Sequence, residues 1–277
     1  MFKNILVPLD GSKHSRTALD YSIQLAKRFN ANLIGLHVVD VVALEGPFLH
    51  DLSGSLGFEP FLNFSSRMRE ILEEKGQGIL KEFSDVCQRE GVKGEVFLDF
   101  GVVTTEVAER AKVADLVVMG RRGINVQFEY GLLGSTAEGV IRRSPKPVMI
   151  VPEEYQEIKN PLLAYDGGFH ASRAMHSAAE FVMGLELLLT VLTVSKDGGE
   201  KIIKEAEDYL KPYQLQARFI LLKGDTPHEI VKYYYNEHNH DLLFMGVSSH
   251  SRIYEMVLGS TTEYVMRNVR GAVWVER

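Results

Sequence analysis

NILVPLDGS (Asn4–Ser12) and NPLLAYDGG (Asn160–Gly168) are two versions of one phrase, 156 positions apart. Each is a short apolar run ending in Asp-Gly, which reads as a buried strand entering a turn. The echo continues along the chain. LIGLHVVD (Leu33–Asp40) resembles LLTVLTVS (Leu188–Ser195), and ADLVVMG (Ala114–Gly120) resembles HDLLFMG (His240–Gly246). LLGSTAEGVIRRSPKPVMIV returns near the C-terminus as VLGSTTEYVMRNVRGAVWV. A repeat of this length means one small domain written twice.

The spacing locates a difference between the copies. Asp10 to Asp166 is 156 positions and Val38 to Thr193 is 155, but Gly101 to Gly224 is 123 and Gly134 to Gly259 is 125. The first copy therefore carries about 30 extra residues between Val38 and Gly101, centred on VVALEGPFLHDLSGSLGFEPFLNFSS (41–66). This segment reads either as a loop folded over its own domain or as a lid or partner surface. The expected domains are 1–152 and 158–277, joined by the polar linker PEEYQEIKN.

Within the first copy, apolar strands (3–9, 33–39, 94–100, 116–119 and 147–151) alternate with amphipathic helices (13–29, 68–89, 104–112 and 135–143). Continuously apolar strands separated by helices make a parallel sheet covered on both faces. The second copy follows the same order without the insertion. An unpaired apolar edge invites association, so Val148–Val151 and Ala272–Val275 are expected to pair within the chain as a pseudo-dimer, with homodimers of whole chains a further step.

The bulk numbers exclude some classes. At 277 residues, 45% hydrophobic and 25% charged, the chain suits two globular domains. A net charge of -6 argues against nucleic acid as a partner, since phosphate neutralisation needs a basic face. The lone Cys87 makes no internal disulfide. The longest apolar run, Phe181–Val194, contains Glu186 and is too short for a bilayer. With an N-terminus that turns polar after a few residues, the expected compartment is the cytoplasm.

Open parallel sheets bind ligands beyond the carboxyl ends of their strands. The residues there are Asp10-Gly11-Ser12, Val38-Val39-Asp40, and Gly120-Arg121-Arg122-Gly123 followed, after ten residues, by Gly134-Ser135-Thr136. The last run opens a helix, whose first amides lack intrahelical partners and carry the positive end of the dipole. Free amides, hydroxyls and a glycine admitting close approach are what a phosphate needs. The alternative is that these glycines merely shape turns. No GxxxxGK[ST] or GxGxxG is present.

The combination of VPLDGS after the first strand, LHVVD at the second, Gly-x2-Gly-x10-Gly-Ser after the fourth and a terminal PVMIVP strand resembles the universal stress protein family. The resemblance covers almost the whole chain, twice. It implies two tandem Rossmann-like (adenine nucleotide alpha hydrolase-like) domains, each an open five-stranded, mostly parallel sheet with helices on both faces. It also implies binding of ATP or another adenine nucleotide, with Mg2+ on the triphosphate. Carried over, Asp10 would sit by the ribose, the triphosphate or its metal, and the backbone of Val38 would bond adenine. Gly120 and Gly123 would line ribose and phosphates, and Gly134, Ser135 and Thr136 would hold the phosphate chain. Pro8, Leu9 and Met119 would form apolar walls, while Arg121 and Arg122 would add charge. Ten residues separate Gly123 from Gly134 where the family has nine, which alters the path of the intervening loop.

The second copy keeps Asp166, Gly167, Gly246, Gly259, Ser260 and Thr261, but puts Ser249 for the second glycine, Ala164 for Pro8 and Thr193 for Val38. It is either a second site or a degenerate one. His228, His238, His240 and His250 match no zinc spacing, and Tyr233-Tyr234-Tyr235 reads as core and interface. Three functions stay open: a nucleotide-dependent stress or regulatory protein, a slow ATPase, and a non-catalytic interaction module. Nothing readable supplies a general base or an arginine finger, so hydrolysis is expected to be weak at most.

Overall fold

The computed structural model describes residues 2–40, 61–124, 133–235, 239–247 and 258–277, with backbone only for 61–66. The first half runs β1 (Asn4–Pro8), α1 (Lys13–Phe29), β2 (Asn32–Asp40), α2 (Phe61–Glu90), β3 (Gly94–Gly101), α3 (Val103–Ala111), β4 (Leu116–Gly120), α4 (Ser135–Arg143) and β5 (Val148–Val151). The second half runs β6 (Pro161–Ala164), α5 (Phe169–Leu185), β7 (Leu189–Val194), α6 (Gly199–Leu210), β8 (Ala217–Leu222), α7 (Thr226–Tyr234), β9 (Leu242–Gly246), α8 (Ser260–Asn268) and β10 (Ala272–Glu276).

All ten strands form one sheet in the order β3-β2-β1-β4-β5-β10-β9-β6-β7-β8. Within each half the pairing is parallel, and β5 meets β10 antiparallel through Val148↔Val275 and Ile150↔Val273. The two five-stranded halves are thus two tandem domains joined edge to edge, as the apolar last strands implied. Because the joint is antiparallel, the carboxyl ends of the two sets of strands face opposite edges of the sheet. One face is covered by α1, α2, α5 and α6, and the other by α3, α4, α7 and α8.

Local signals explain the helices. Ser12 caps α1 by accepting from the Ser15 amide (3.1 Å), and Asn30 ends it in the left-handed region at φ 50°. α2 is longer than the pattern suggested. It begins at Phe61, not Met68, because neither Gly nor Pro interrupts 61–67 and nothing in the sequence stops the helix before Pro60. The last six residues of the expected insertion are therefore helix; 41–60 lie outside the described residues.

The joint is aromatic. Trp274 of β10 is fully buried and lies 5.2 Å from Phe2, 5.7 Å from Phe181 and 5.3 Å from Phe244, centroid to centroid. Phe29 fits against Gly184, where any Cβ would come within 2.2 Å of its ring. Equivalent carboxylates tie each half internally. Asp115 accepts from the amides of Lys3 and Asn4, and Asp241 accepts from those of Lys159 and Asn160. No helix among the described residues is long and apolar enough to cross a membrane.

Candidate functional site

The strand order reverses between β1 and β4, and a cavity of about 330 Å3 opens there at their carboxyl ends. Pro8, Leu9, Asp10, Val38, Met119, Gly120, Arg122, Gly123, Gly134, Ser135 and Thr136 all line it. Eleven of the twelve residues singled out in this half are thus gathered around one space.

Asp10 is built into the loop. One carboxylate oxygen accepts from the Ser12 amide (2.9 Å), and the other from the Ile124 amide (3.0 Å). Gly123 makes the second bond feasible, since a Cβ there would sit 2.8 Å from Asp10 Oδ2. Gly11 turns the chain away at φ +82°, a conformation costly for any other side chain. Each oxygen keeps further capacity to accept.

The start of α4 lines the same cavity. Its N-cap is Gly134 at φ -62°, ψ 145°, and no side chain caps the helix. Among the described residues no side chain caps the amides that open α4, which as first-turn amides lack intrahelical acceptors, while Ser135, Thr136 and Ala137 line the cavity. The positive end of the α4 dipole therefore lies at the cavity wall.

The structure corrects one reading of this half and adds to another. Arg121 is not in the cavity: its guanidinium crosses to the second half and donates to the carbonyls of Met266 (2.6 Å) and Gly271 (3.1 Å). Both arginines lie in the bend after β4, and of the two only Arg122 lines the site. Gly120 serves helix packing as well as the ligand space, because a Cβ there would lie 2.6 Å from His14 Cβ and 2.9 Å from its carbonyl carbon. His14, buried against it with Nδ1 unpartnered, is pushed below the usual histidine range mainly by desolvation and stays neutral near pH 7.

Several lining residues carry no motif. Leu72 and Lys75 reach the rim from α2. Gly76 lets that helix settle on the sheet, since a Cβ would strike His37 Cδ2 at 2.5 Å. His37 Nδ1 lies 2.7 Å from the Leu9 carbonyl, which can only accept, so this nitrogen carries the proton. The charge Lys75 adds was invisible because Lys75 lies thirty-five residues beyond the end of β2 and its position depends on how its helix packs.

The second half has a cavity of about 290 Å3 at the matching place, lined by Asp166, Gly246 and Thr261. Gly167, Gly259 and Ser260 are not in its wall, and Ser249 lies outside the described residues. Gly167 repeats the turn of Gly11 at φ +78°, and Gly259 repeats the uncapped helix start of Gly134. Thr193 is a register error. Pro8 pairs with Leu36 and Ala164 with Leu192, so the equivalent of Val38 is Val194, and Thr193 stands where His37 does. A slip of one residue turns a strand side chain to the other face, and Thr193 is fully buried with its hydroxyl unpartnered while Val194 lines the cavity. No cation from a long helix lines this cavity among the described residues; α6 has 12 residues against 30 in α2.

The histidines make no metal centre among the described residues. His228 bonds Asp225 and His240 bonds the Asn160 carbonyl, while His238 and His250 lie outside them.

Comparison with known proteins agrees with this architecture. The profile of the universal stress protein family matches residues 1–152 and again 157–277. A universal stress protein of Synechocystis is 28% identical over 277 residues, covering 96% of each chain. One from Methanocaldococcus jannaschii is 36% identical over 159 residues, 57% of this chain and 86% of that protein. The crystal structure of a universal stress protein from Archaeoglobus fulgidus superposes with a TM-score of 0.78 at 25% identity, covering 99% of this chain and 96% of that one. With a family profile matched end to end in both halves of one continuous sheet, the chain belongs to the universal stress protein family, as a tandem of two of its domains.

Proposed function

We propose that the first half binds ATP, with Mg2+ on its phosphates, and that the protein acts as a cytoplasmic stress-response regulator through the stability or partner affinity of the bound form. The observation that carries this is the uncapped start of α4, which lines the same cavity as Asp10. The α4 amides, with Arg122 and Lys75, suit the polyphosphate. Pro8, Leu9, Val38 and Met119 offer the apolar walls a purine needs. Asp10 would hold the Mg2+, which when bound neutralises phosphate charge.

Binding to the folded state alone stabilises it by about 2.7 kcal/mol at a hundredfold excess over Kd. MgATP is therefore expected to raise the melting temperature by several degrees. Gly134→Val should remove that rise while the unliganded protein still folds, because its φ and ψ suit a β-branched residue. A parent protein whose melting point is indifferent to MgATP would defeat the proposal.

A further inference from the structure

Arg121 belongs to both halves at once. Its backbone is part of the first cavity's frame: the amide donates to the Val151 carbonyl (3.0 Å), and the carbonyl accepts from the amide of Gly134, the N-cap of α4 (2.9 Å). Its side chain leaves in the opposite direction. The guanidinium holds Met266 O, in the last turn of α8, and Gly271 O, between α8 and β10.

These acceptors suit a cation. The final carbonyls of a helix lack intrahelical donors and carry the negative end of its dipole. The Arg270 amide, which would reach back to Met266 in a continued helix, donates instead to the Tyr235 hydroxyl (2.6 Å). Arg121 takes its place. Among the described residues the guanidinium is paired with no carboxylate, and its Nε is buried without a partner. A desolvated charge held by two carbonyls tolerates little displacement, because each lost bond exposes an uncompensated donor. The contact is therefore stiff.

The far end of α8 completes the path. Thr261 and Thr262, in its first turn, line the second cavity. One short helix thus connects the Arg121 contact to the wall of the other site. Among the described residues the second half sends no equivalent side chain into the first from this position. Val247 occupies the equivalent position, its amide donating to the Glu276 carbonyl (2.7 Å) as Arg121 donates to Val151, and it has no charge to send across.

We infer that Arg121 couples occupancy of the first cavity to the placement of α8, so that nucleotide bound at the start of α4 resets the wall of the second cavity. The inference rests on the nucleotide reading of the first cavity. Phosphate drawn onto the α4 amides acts on Gly134, whose amide is bonded to the Arg121 carbonyl, and the guanidinium carries the shift to Met266.

Hydrogen–deuterium exchange of the full chain, with and without MgATP, tests this. MgATP should slow exchange at the start of α4 and also in the last turn of α8 and 269–271, the latter by roughly fivefold or more, the lower end of ordinary coupling between sites. Arg121→Met should keep the α4 protection and lose the α8 protection, and Arg121→Lys should give an intermediate value. Protection of α8 that survives in Arg121→Met would mean nucleotide acts there directly, overturning the inference. Should Arg121→Met not fold, the parent protein still decides: α4 protected with α8 unchanged overturns the coupling. Neither region protected defeats the nucleotide reading itself, and the coupling with it.

Discussion

Trp274→Ala is expected to lower stability by about 3–5 kcal/mol, the range for deleting a large buried aromatic side chain. Trp274 has no exposed surface and packs on Phe2 of the first half and on Phe181 and Phe244 of the second. It also lies in register with Met149 across the antiparallel joint. Truncation removes the transfer energy of the indole and leaves a hole between two rigid halves that cannot collapse to fill it. As this is the chain's sole tryptophan, unfolding in urea must be followed by far-ultraviolet circular dichroism. A loss below about 1 kcal/mol, outside the range for large core truncations, would mean the halves do not depend on this joint.

Alkaline pH should weaken the fold by a comparable amount. Burial pushes the Cys87 thiol up to about 11 and the Tyr21 hydroxyl up to about 12. Both are acids whose neutral form the folded chain prefers. Below the unfolded-state values the two states hold the same protons, and stability is fully present. As pH rises from 9 to 11 for Cys87, and from 10 to 12 for Tyr21, the unfolded chain releases a proton the folded chain keeps. Each group then shifts the balance toward unfolding by about 1.4 kcal/mol per pH unit. Urea midpoints measured at intervals from pH 8 to 11 should fall steeply above 9. Cys87→Ala should flatten the segment between 9 and 10, where Tyr21 does not yet contribute; an unchanged slope in that variant would contradict the assignment.

The fold was legible because its signals are local and repeated. The α1 and α4 boundaries at Lys13–Phe29 and Ser135–Arg143 follow from a serine cap, an asparagine stop and a Gly-Ser-Thr start, all carried by neighbouring residues. The edge-to-edge joint followed from two apolar terminal strands with nothing else to cover them. Eleven of twelve first-half site residues converge for a similar reason: in a parallel sheet the turns after β1, β2 and β4 must meet at one edge.

What escaped depended on direction rather than position. Arg121 and Arg122 are adjacent in sequence, and only the local path of the chain decides which one faces the cavity. Thr193 was aligned by resemblance of LLTVLTVS to LIGLHVVD, whereas hydrogen-bond register makes His37 its counterpart. Gly120 looked like a gap for a ligand, but His14 fills much of what its missing Cβ leaves. Lys75 and Leu72 come from a helix whose approach is set by Gly76, a contact distant in sequence from every motif.

The uncapped start of α4 and the Asp10 carboxylate are proposed to form a seat for MgATP. Equilibrium dialysis of the nucleotide-stripped chain against MgATP tests it most directly. Saturable retention that Gly134→Val abolishes is the expected result. Retention no greater than that of the Gly134→Val chain at any concentration would contradict the account.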